Sequence, residues 1–218
     1  MKIGIVAATR FEIQPTINFL QQHAGRHLSQ EIELIITGIG SMSAAYSLTK
    51  YITVHSTDLL LQAGIAGSFS NRFPAGSTVI ISEESLGDLG AAENNLFNDL
   101  FDLKLMEASL APYSERQLKN PFLEKWSRFG LPFAGGVTVN EITTRTERIS
   151  LLKEKYHCDI ESMEGAAFHF VCLQENIPFL QLRSVSNFVG ERDKKNWKLK
   201  ESIENLNLEL IKIIRQML

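Results

Sequence analysis

Four side chains have types and placements that could do chemistry together: the carboxylates of Glu12 and Glu164, the guanidinium of Arg183 and the carboxamide of Asn187. Groups of these kinds accept protons, donate hydrogen bonds and balance charge around a bound molecule. Each lies at or just beyond the end of an apolar run that reads as a β-strand, and open α/β sheets bind ligands at the carboxyl ends of their strands. Glu164 falls in Ile160-Glu161-Ser162-Met163-Glu164-Gly165-Ala166-Ala167, between a strand end and an apolar helix expected over 165–175. An acid there also stabilises the positive end of its helix, so position alone leaves two readings open. Glu12, beside Pro15, has the same two readings, because proline suits a first helical turn. The convergence of three separated segments on one sheet edge is what favours a ligand site.

Those four residues need a frame, and the hydrophobic periodicity supplies one. Strands are expected over 2–8, 32–37, 59–63, 77–82, 132–139, 158–163 and 177–184, and helices over 11–22, 43–54, 120–130, 145–156, 165–175 and 200–218. Gly64-Ile65-Ala66-Gly67-Ser68 reads as a glycine turn at a strand's carboxyl edge, 83–90 as a polar loop in which Asp88 caps, with contact to substrate as the alternative, and 96–116 as a loop-rich excursion. Alternating strands and helices predict a three-layer α/β/α domain over 1–218 with a central mixed, largely parallel sheet.

Composition narrows the functions. The chain has 44% hydrophobic residues, enough for a substantial core, and a net charge of -3 that argues against a nucleic-acid partner. The basic stretch 192–200, broken by Asp193, Asn196 and Trp197, reads as a solvated loop. Cys158 and Cys172 are too few for a disulfide framework and read as buried reduced thiols of a cytoplasmic chain. No apolar run reaches membrane-spanning length, and the first residues form a strand rather than a secretory signal. Gly38-Ile39-Gly40 lets backbone N–H groups approach a ligand at a helix start, but Ser43 stands where a dinucleotide fingerprint has its third glycine. Asp58 precedes its strand, the wrong end for a ribose-binding acid, so no nicotinamide cofactor is expected. His23 and His27 could share a helix face, yet Gly25 lies between them and no third ligand is near in sequence, so no metal is expected. His169 reads as a packed residue on the Glu164 helix. Neither a Gly-x-Ser-x-Gly elbow nor a phosphate-binding Gly-Lys-Ser/Thr loop occurs.

Met1-Lys2-Ile3-Gly4-Ile5-Val6-Ala7-Ala8 followed by Glu12, then Gly64-Ile65-Ala66-Gly67, Met163-Glu164-Gly165-Ala166-Ala167 and Arg183-Ser184-Val185-Ser186-Asn187, together resemble the purine nucleoside phosphorylase/nucleosidase superfamily. The N-terminal glutamate resembles its nucleosidase branch, which uses water rather than phosphate. Gly87-Asp88-Leu89-Gly90, the run 186–193 and Trp197 resemble the futalosine hydrolases within it. The resemblance implies hydrolysis of a purine N-glycosidic bond through an oxocarbenium-like ribosyl transition state. It implies Glu12 as proton acceptor for the attacking water, Arg183 as its positioner and Glu164 as partner of the ribose hydroxyls. Met163 would pack on sugar and base, with a core methionine as the alternative. Ile65, Gly67, Ser186, Val139 and Asn140 complete the implied substrate-binding set.

Asn187 departs from the aspartate of adenine-releasing members. An amide can donate to O6 and accept from N7–H of hypoxanthine, whereas protonating N7 of adenine needs an acid, so Asn187 favours a 6-oxopurine over methylthioadenosine or aminodeoxyfutalosine. A turn-capping asparagine is the alternative, and a non-enzymatic purine-binding module is the alternative for the whole chain. Arg145, Arg192 and Lys194 are compositional candidates for the substrate's benzoate end. The resemblance also implies a homo-oligomer.

Overall fold

The structure is a computed structural model and describes residues 1–23, 32–93 and 96–217; His27 and Gly25 lie outside them. Its first strand shows how the layers arise. In β1 (Ile3–Ala7) every residue is buried, so both faces must be covered. Ile3, Ile5 and Ala7 join one core and Val6 the other, the period of two expected of a pleated strand. The same alternation divides β3 (Leu59–Ser68) and β10 (Phe179–Phe188). Leu59, Leu61, Leu180 and Leu182 face α1 (Gln14–Gln22) and α6 (Leu199–Met217). Leu60 and Phe179 face α2 (Ser41–Val54) and α5 (Gly165–Gln174) through Leu48, Phe168, Val171 and Cys172. Each such side chain taken fully out of water contributes roughly 1.5–3 kcal/mol, which makes these two layers the main source of stability.

The remaining strands are β2 (Ile32–Ile36), β4 (Thr78–Leu86), β5 (Gly90–Glu93), β6 (Leu96–Asp99), β7 (Leu118–Lys119), β8 (Phe133–Thr138) and β9 (Ile160–Ser162). The central sheet runs β10-β4-β8-β9-β3-β1-β2, with β7 on β4, and β3 pairs with β10 as well. Strands β3, β10, β4, β8 and β9 therefore close into a ring beyond the flat β1–β2 wing. Pairing is parallel for β1–β2, β1–β3, β3–β10, β4–β8 and β8–β9 and antiparallel for β4–β10, β3–β9 and β4–β7, as expected of a mixed, largely parallel sheet. Two further helices, α3 (Leu123–Trp126) and α4 (Thr146–Tyr156), cover the ring from outside.

Several expectations need correction. Gly64–Ser68 is no turn but the second half of β3, paired residue for residue with β10. Its glycines make room: a Cβ at Gly64 would stand 2.4 Å from Arg183 Nη1. Residues 83–86 belong to β4 rather than to a polar loop, because Glu84 has neutral donors inside the ring. Helix α1 starts at Gln14, not at 11; Phe11 is exposed and residues 11–13 form the turn that carries Glu12. Residues 96–99, inside the expected excursion, pair with β5 as a hairpin. Asp88 ties a neighbouring loop, accepting from the backbone N–H groups of Asn140 and Glu141. Cys158 and Cys172 are free and buried, and burial pushes the Cys158 thiol up to about 12.

Candidate active site

Glu12 stands in the tight turn between β1 and α1, 7% exposed. Its Oε2 accepts from the Thr9 backbone N–H at 3.0 Å and the Thr9 hydroxyl at 2.9 Å, and its Oε1 accepts from the Ile65 N–H at 3.2 Å. The turn is clamped from α6: Asn207 Nδ2 donates to the Glu12 carbonyl at 2.8 Å while its Oδ1 accepts from Thr16. Glu12 is thus held at both ends.

Arg183 projects from β10 and is 1% exposed. A buried guanidinium requires anionic or strong acceptor partners. It has Gln62 Oε1 at 3.2 Å and Glu164 Oε2 at 3.5 Å, while Nε has no acceptor among the described residues. Arg183 Nη1 and Glu12 Oε1 both fall within 3.1 Å of the point where a Gly64 Cβ would lie. Any side chain at 64 would separate them.

Glu164 is the N-cap residue of α5, yet its side chain makes no cap bond to its own helix. Its Oε1 instead accepts from the Gly40 N–H at 3.0 Å, at the start of α2, and Ser41 Oγ donates to the Met163 carbonyl at 3.2 Å. Gly38 and Gly40 have φ of 82° and 90°, which side-chain-bearing residues rarely adopt, and this backbone turns the Gly40 amide toward the acid. The helix-stabilising reading of Glu164 thus applies to α2 rather than α5.

Glu12, beyond the carboxyl end of β1, and Glu164, beyond that of β9, therefore meet Arg183, which projects from the middle of β10: the strand expected over 177–184 runs on to Phe188, so Arg183 is not at its end. Asn187 lies four residues beyond Arg183 on β10, roughly 13 Å along a regular strand, past a bulge, and opposite Gly67. Its Oδ1 accepts from Ser186 Oγ at 2.6 Å and its Nδ2 donates to the Phe188 carbonyl at 2.9 Å, leaving one lone pair and one hydrogen. Ser186 is buried and also bonds the Ala66 carbonyl. Met163 and Ile65 are half-buried at the cluster. Val139 and Asn140 stand apart: the Val139 side chain is in the core with Val137 and Leu152, and Asn140 gives both its amide groups to Asp88. Arg145 lines a cavity of about 850 Å³ with Asp88, Phe97, Thr143 and Arg148, to which Glu12, Glu164 and Arg183 do not contribute. Arg192 and Lys194 are exposed, Arg192 over Trp197; the expected 192–200 loop holds a 3-10 turn over Lys194–Asn196 and ends before α6 begins at Leu199. Asp58 accepts from the Lys2 backbone N–H at 2.8 Å, a fastening of β1. His169 is fully buried, its Nδ1 bonded to the Leu118 carbonyl, and burial lowers it to about 4. No cluster of three metal-ligating side chains occurs among the described residues.

Sequence reasoning missed Thr9, Gln62, Asn207 and the interior set Glu84, Thr138 and Gln181. The available signal was polarity inside apolar strands: Gln62 follows Leu59-Leu60-Leu61 and Gln181 sits between Leu180 and Leu182.

Comparison with known proteins gives the family. The family model described as the phosphorylase superfamily matches residues 2–218. A futalosine hydrolase of Thermus thermophilus is 33% identical over 172 residues, 78% of this chain and 75% of that protein. A 5'-methylthioadenosine/S-adenosylhomocysteine nucleosidase of Buchnera aphidicola is 24% identical over 99% of this chain and 96% of its own. The structure of a Helicobacter pylori futalosine hydrolase superposes with a TM-score of 0.80 at 20% identity, covering 100% of this chain and 98% of that one. The chain belongs to the phosphorylase superfamily, and it is an enzyme of the N-glycosidase kind.

Proposed function

We propose that the enzyme hydrolyses a 6-oxopurine nucleoside of the futalosine type, releasing hypoxanthine and the dehypoxanthinyl sugar, a step of menaquinone biosynthesis by the futalosine route. The observation that carries this reading is the meeting of Glu12, Arg183 and Glu164 in one cluster, with Asn187 farther along the strand of Arg183. Glu12 Oε2 is filled by two Thr9 donors, so Oε1, with a single backbone partner, is the oxygen that takes a proton from water. Arg183, beside it, orients that water. Each oxygen of Glu164 keeps a lone pair for the ribose hydroxyls, and its charge stabilises the cationic sugar. Met163, Ile65, Gly67 and Ser186 line sugar and base. Asn187 offers its remaining hydrogen to O6 and its remaining lone pair to N7–H. Val139 and Asn140, which stand apart from the cluster, are not assigned to the base, and Arg145, lining the 850 Å³ cavity, is the candidate for the benzoate end. The 33% identity to a futalosine hydrolase supports this substrate over an adenine nucleoside. The same reading takes the chain to be a cytoplasmic homo-oligomer; Ile39, Met42 and Tyr46, exposed near the Glu164 contact, support self-association. No helix among the described residues is long and apolar enough to cross a membrane.

The test is incubation with futalosine, inosine and methylthioadenosine, with and without phosphate or chelator, and chromatography of the released base. Hypoxanthine from futalosine in every condition is expected. Release that requires phosphate, stops with chelator, or yields only adenine overturns the reading.

A further inference from the structure

Behind the Glu12–Arg183–Glu164 cluster a third carboxylate is buried more deeply than either acid. Glu84 of β4 is 1% exposed. Its Oε2 accepts from the Thr138 hydroxyl at 2.9 Å and its Oε1 from Gln181 Nε2 at 2.9 Å. The Thr138 oxygen in turn accepts from the Ala166 backbone N–H at 2.7 Å. Ala166 lies in the first turn of α5, whose amides have no partner within the helix. A threonine hydroxyl has one hydrogen, and committing it to Glu84 aims a lone pair at α5. Small residues leave the space: a Cβ on Gly165 would lie 1.8 Å from Glu84 Oε1, and one on Gly136 2.6 Å away. Immediately before Gly165 stands Glu164, whose side chain reaches to Arg183 and the Gly40 amide.

We propose that Glu84 is a positioning residue: it orients Thr138, Thr138 anchors the first turn of α5, and that turn fixes where the Glu164 carboxylate stands. The inference rests on the reaction proposed above for the activity it serves. The charged or titratable groups facing Glu84 are Arg183 on β10, Glu164 ahead of α5, the Cys158 thiol ahead of β9 and, beyond Gln181, His169 on α5; from β8 comes neutral Thr138. Burial raises Glu84 to about 7, with Gln181, Arg183 and Thr138 offsetting only part of the desolvation. The ionised form is the one that accepts from Thr138 and Gln181 together. Protonation removes acceptor capacity and loosens the relay, so kcat/KM rises through neutral pH.

The experiment compares wild type, Thr138→Val, Thr138→Ser and Glu84→Gln by kcat/KM on futalosine from pH 5 to 9 and by amide hydrogen exchange of residues 163–168. Removing the hydroxyl with Thr138→Val lowers kcat/KM about tenfold or more, since misplacement by about 1 Å costs up to ~10²-fold, and speeds exchange in the segment. Thr138→Ser, which keeps the hydroxyl, restores both, and Glu84→Gln flattens the limb near pH 7. Wild-type kinetics and exchange in Thr138→Val, or a Thr138→Ser no better than Thr138→Val, overturns the proposal. If wild type cleaves no nucleoside, the reaction reading fails, and the exchange measurements alone decide the positioning role.

Discussion

Glu12 and Glu164 are 7% and 5% exposed and Glu84 is 1% exposed, yet these buried acids are satisfied in different ways. The first two have backbone N–H donors from Thr9, Ile65 and Gly40, and the Arg183 guanidinium lies between them. Glu84 has two neutral side-chain donors, and its ionisation moves to about 7 because desolvation outweighs them. His169, close by on α5, shifts the other way, to about 4, for the same reason. The outer cluster joins Glu12 and Glu164, both beyond the carboxyl ends of strands, to Arg183 from the middle of β10. The inner cluster lies within the ring of strands and bonds only to the protein. Burial alone therefore does not distinguish these acids; Glu12 and Glu164 differ from Glu84 in taking backbone N–H donors at loops and helix starts, where Glu84 takes only side-chain donors inside the ring.

The largest effect is expected at Glu12. On the proposed reading, Glu12→Gln removes the proton acceptor and lowers kcat by ~10²–10⁴-fold, with the fold retained by circular dichroism. Near-normal turnover would remove Glu12 from the mechanism. Glu164→Gln keeps the shape but halves the acceptor role toward ribose. Its kcat/KM on futalosine should fall by about tenfold or more while the preference for hypoxanthine over adenine stays, because hydrogen bonds to a charged group are worth ~1.5–3 kcal/mol. Lost selectivity with little rate change would move Glu164 from sugar to base.

Asn187→Asp sharpens the account at the base. An ionised Asp cannot donate to O6 and sets acceptor against acceptor, so the ratio of kcat/KM values for futalosine and its 6-amino analogue should move toward the analogue by about tenfold, or ~1.4 kcal/mol. Equal losses on both substrates would show that Asn187 does not read position 6.

The smallest effect is on stability. Glu84 has a raised value in the folded chain, so its contribution to stability is full below its ordinary value near 4.5 and is lost as pH rises through about 7. Glu84→Gln, which cannot ionise, should gain on wild type between pH 5 and 8 by up to about 3 kcal/mol, read as a widening difference in denaturant midpoints. His169 has the opposite sign: its contribution is present above about 6.5 and is lost as pH falls through about 4. A midpoint difference independent of pH would mean that Glu84 is not buried as an acid.

Much of the frame was legible because buried strands and amphipathic helices write their period into the sequence. β1, α2, α5 and α6 lie within two residues of expectation at each end. Gly64 misled because a glycine that admits a guanidinium is written with the same letter as one that turns the chain. Glu83 and Glu84 misled because a polar pair at a strand's end reads as a loop unless its partners are known. Glu12, Glu164 and Asn187 were legible as polar residues near strand ends, whereas Arg183 was expected at a strand end and stands in mid-strand, because β10 runs on to Phe188. Asn207 was not, since its bond to Glu12 spans 195 residues and its helix reads as ordinary amphipathic sequence. The ring of strands was likewise hidden, because the β3–β10 and β3–β9 pairings are set by register rather than by any local pattern.

On the proposed reading, Glu12 and Arg183 direct water, and not phosphate, to the sugar carbon of a 6-oxopurine nucleoside. Running wild type on futalosine in ¹⁸O-labelled water with excess phosphate tests it most directly. The account predicts hypoxanthine and a free sugar in equal amounts, one ¹⁸O atom in the sugar, and the same yield when phosphate is left out. A sugar phosphate free of label, or no release of hypoxanthine, would contradict it.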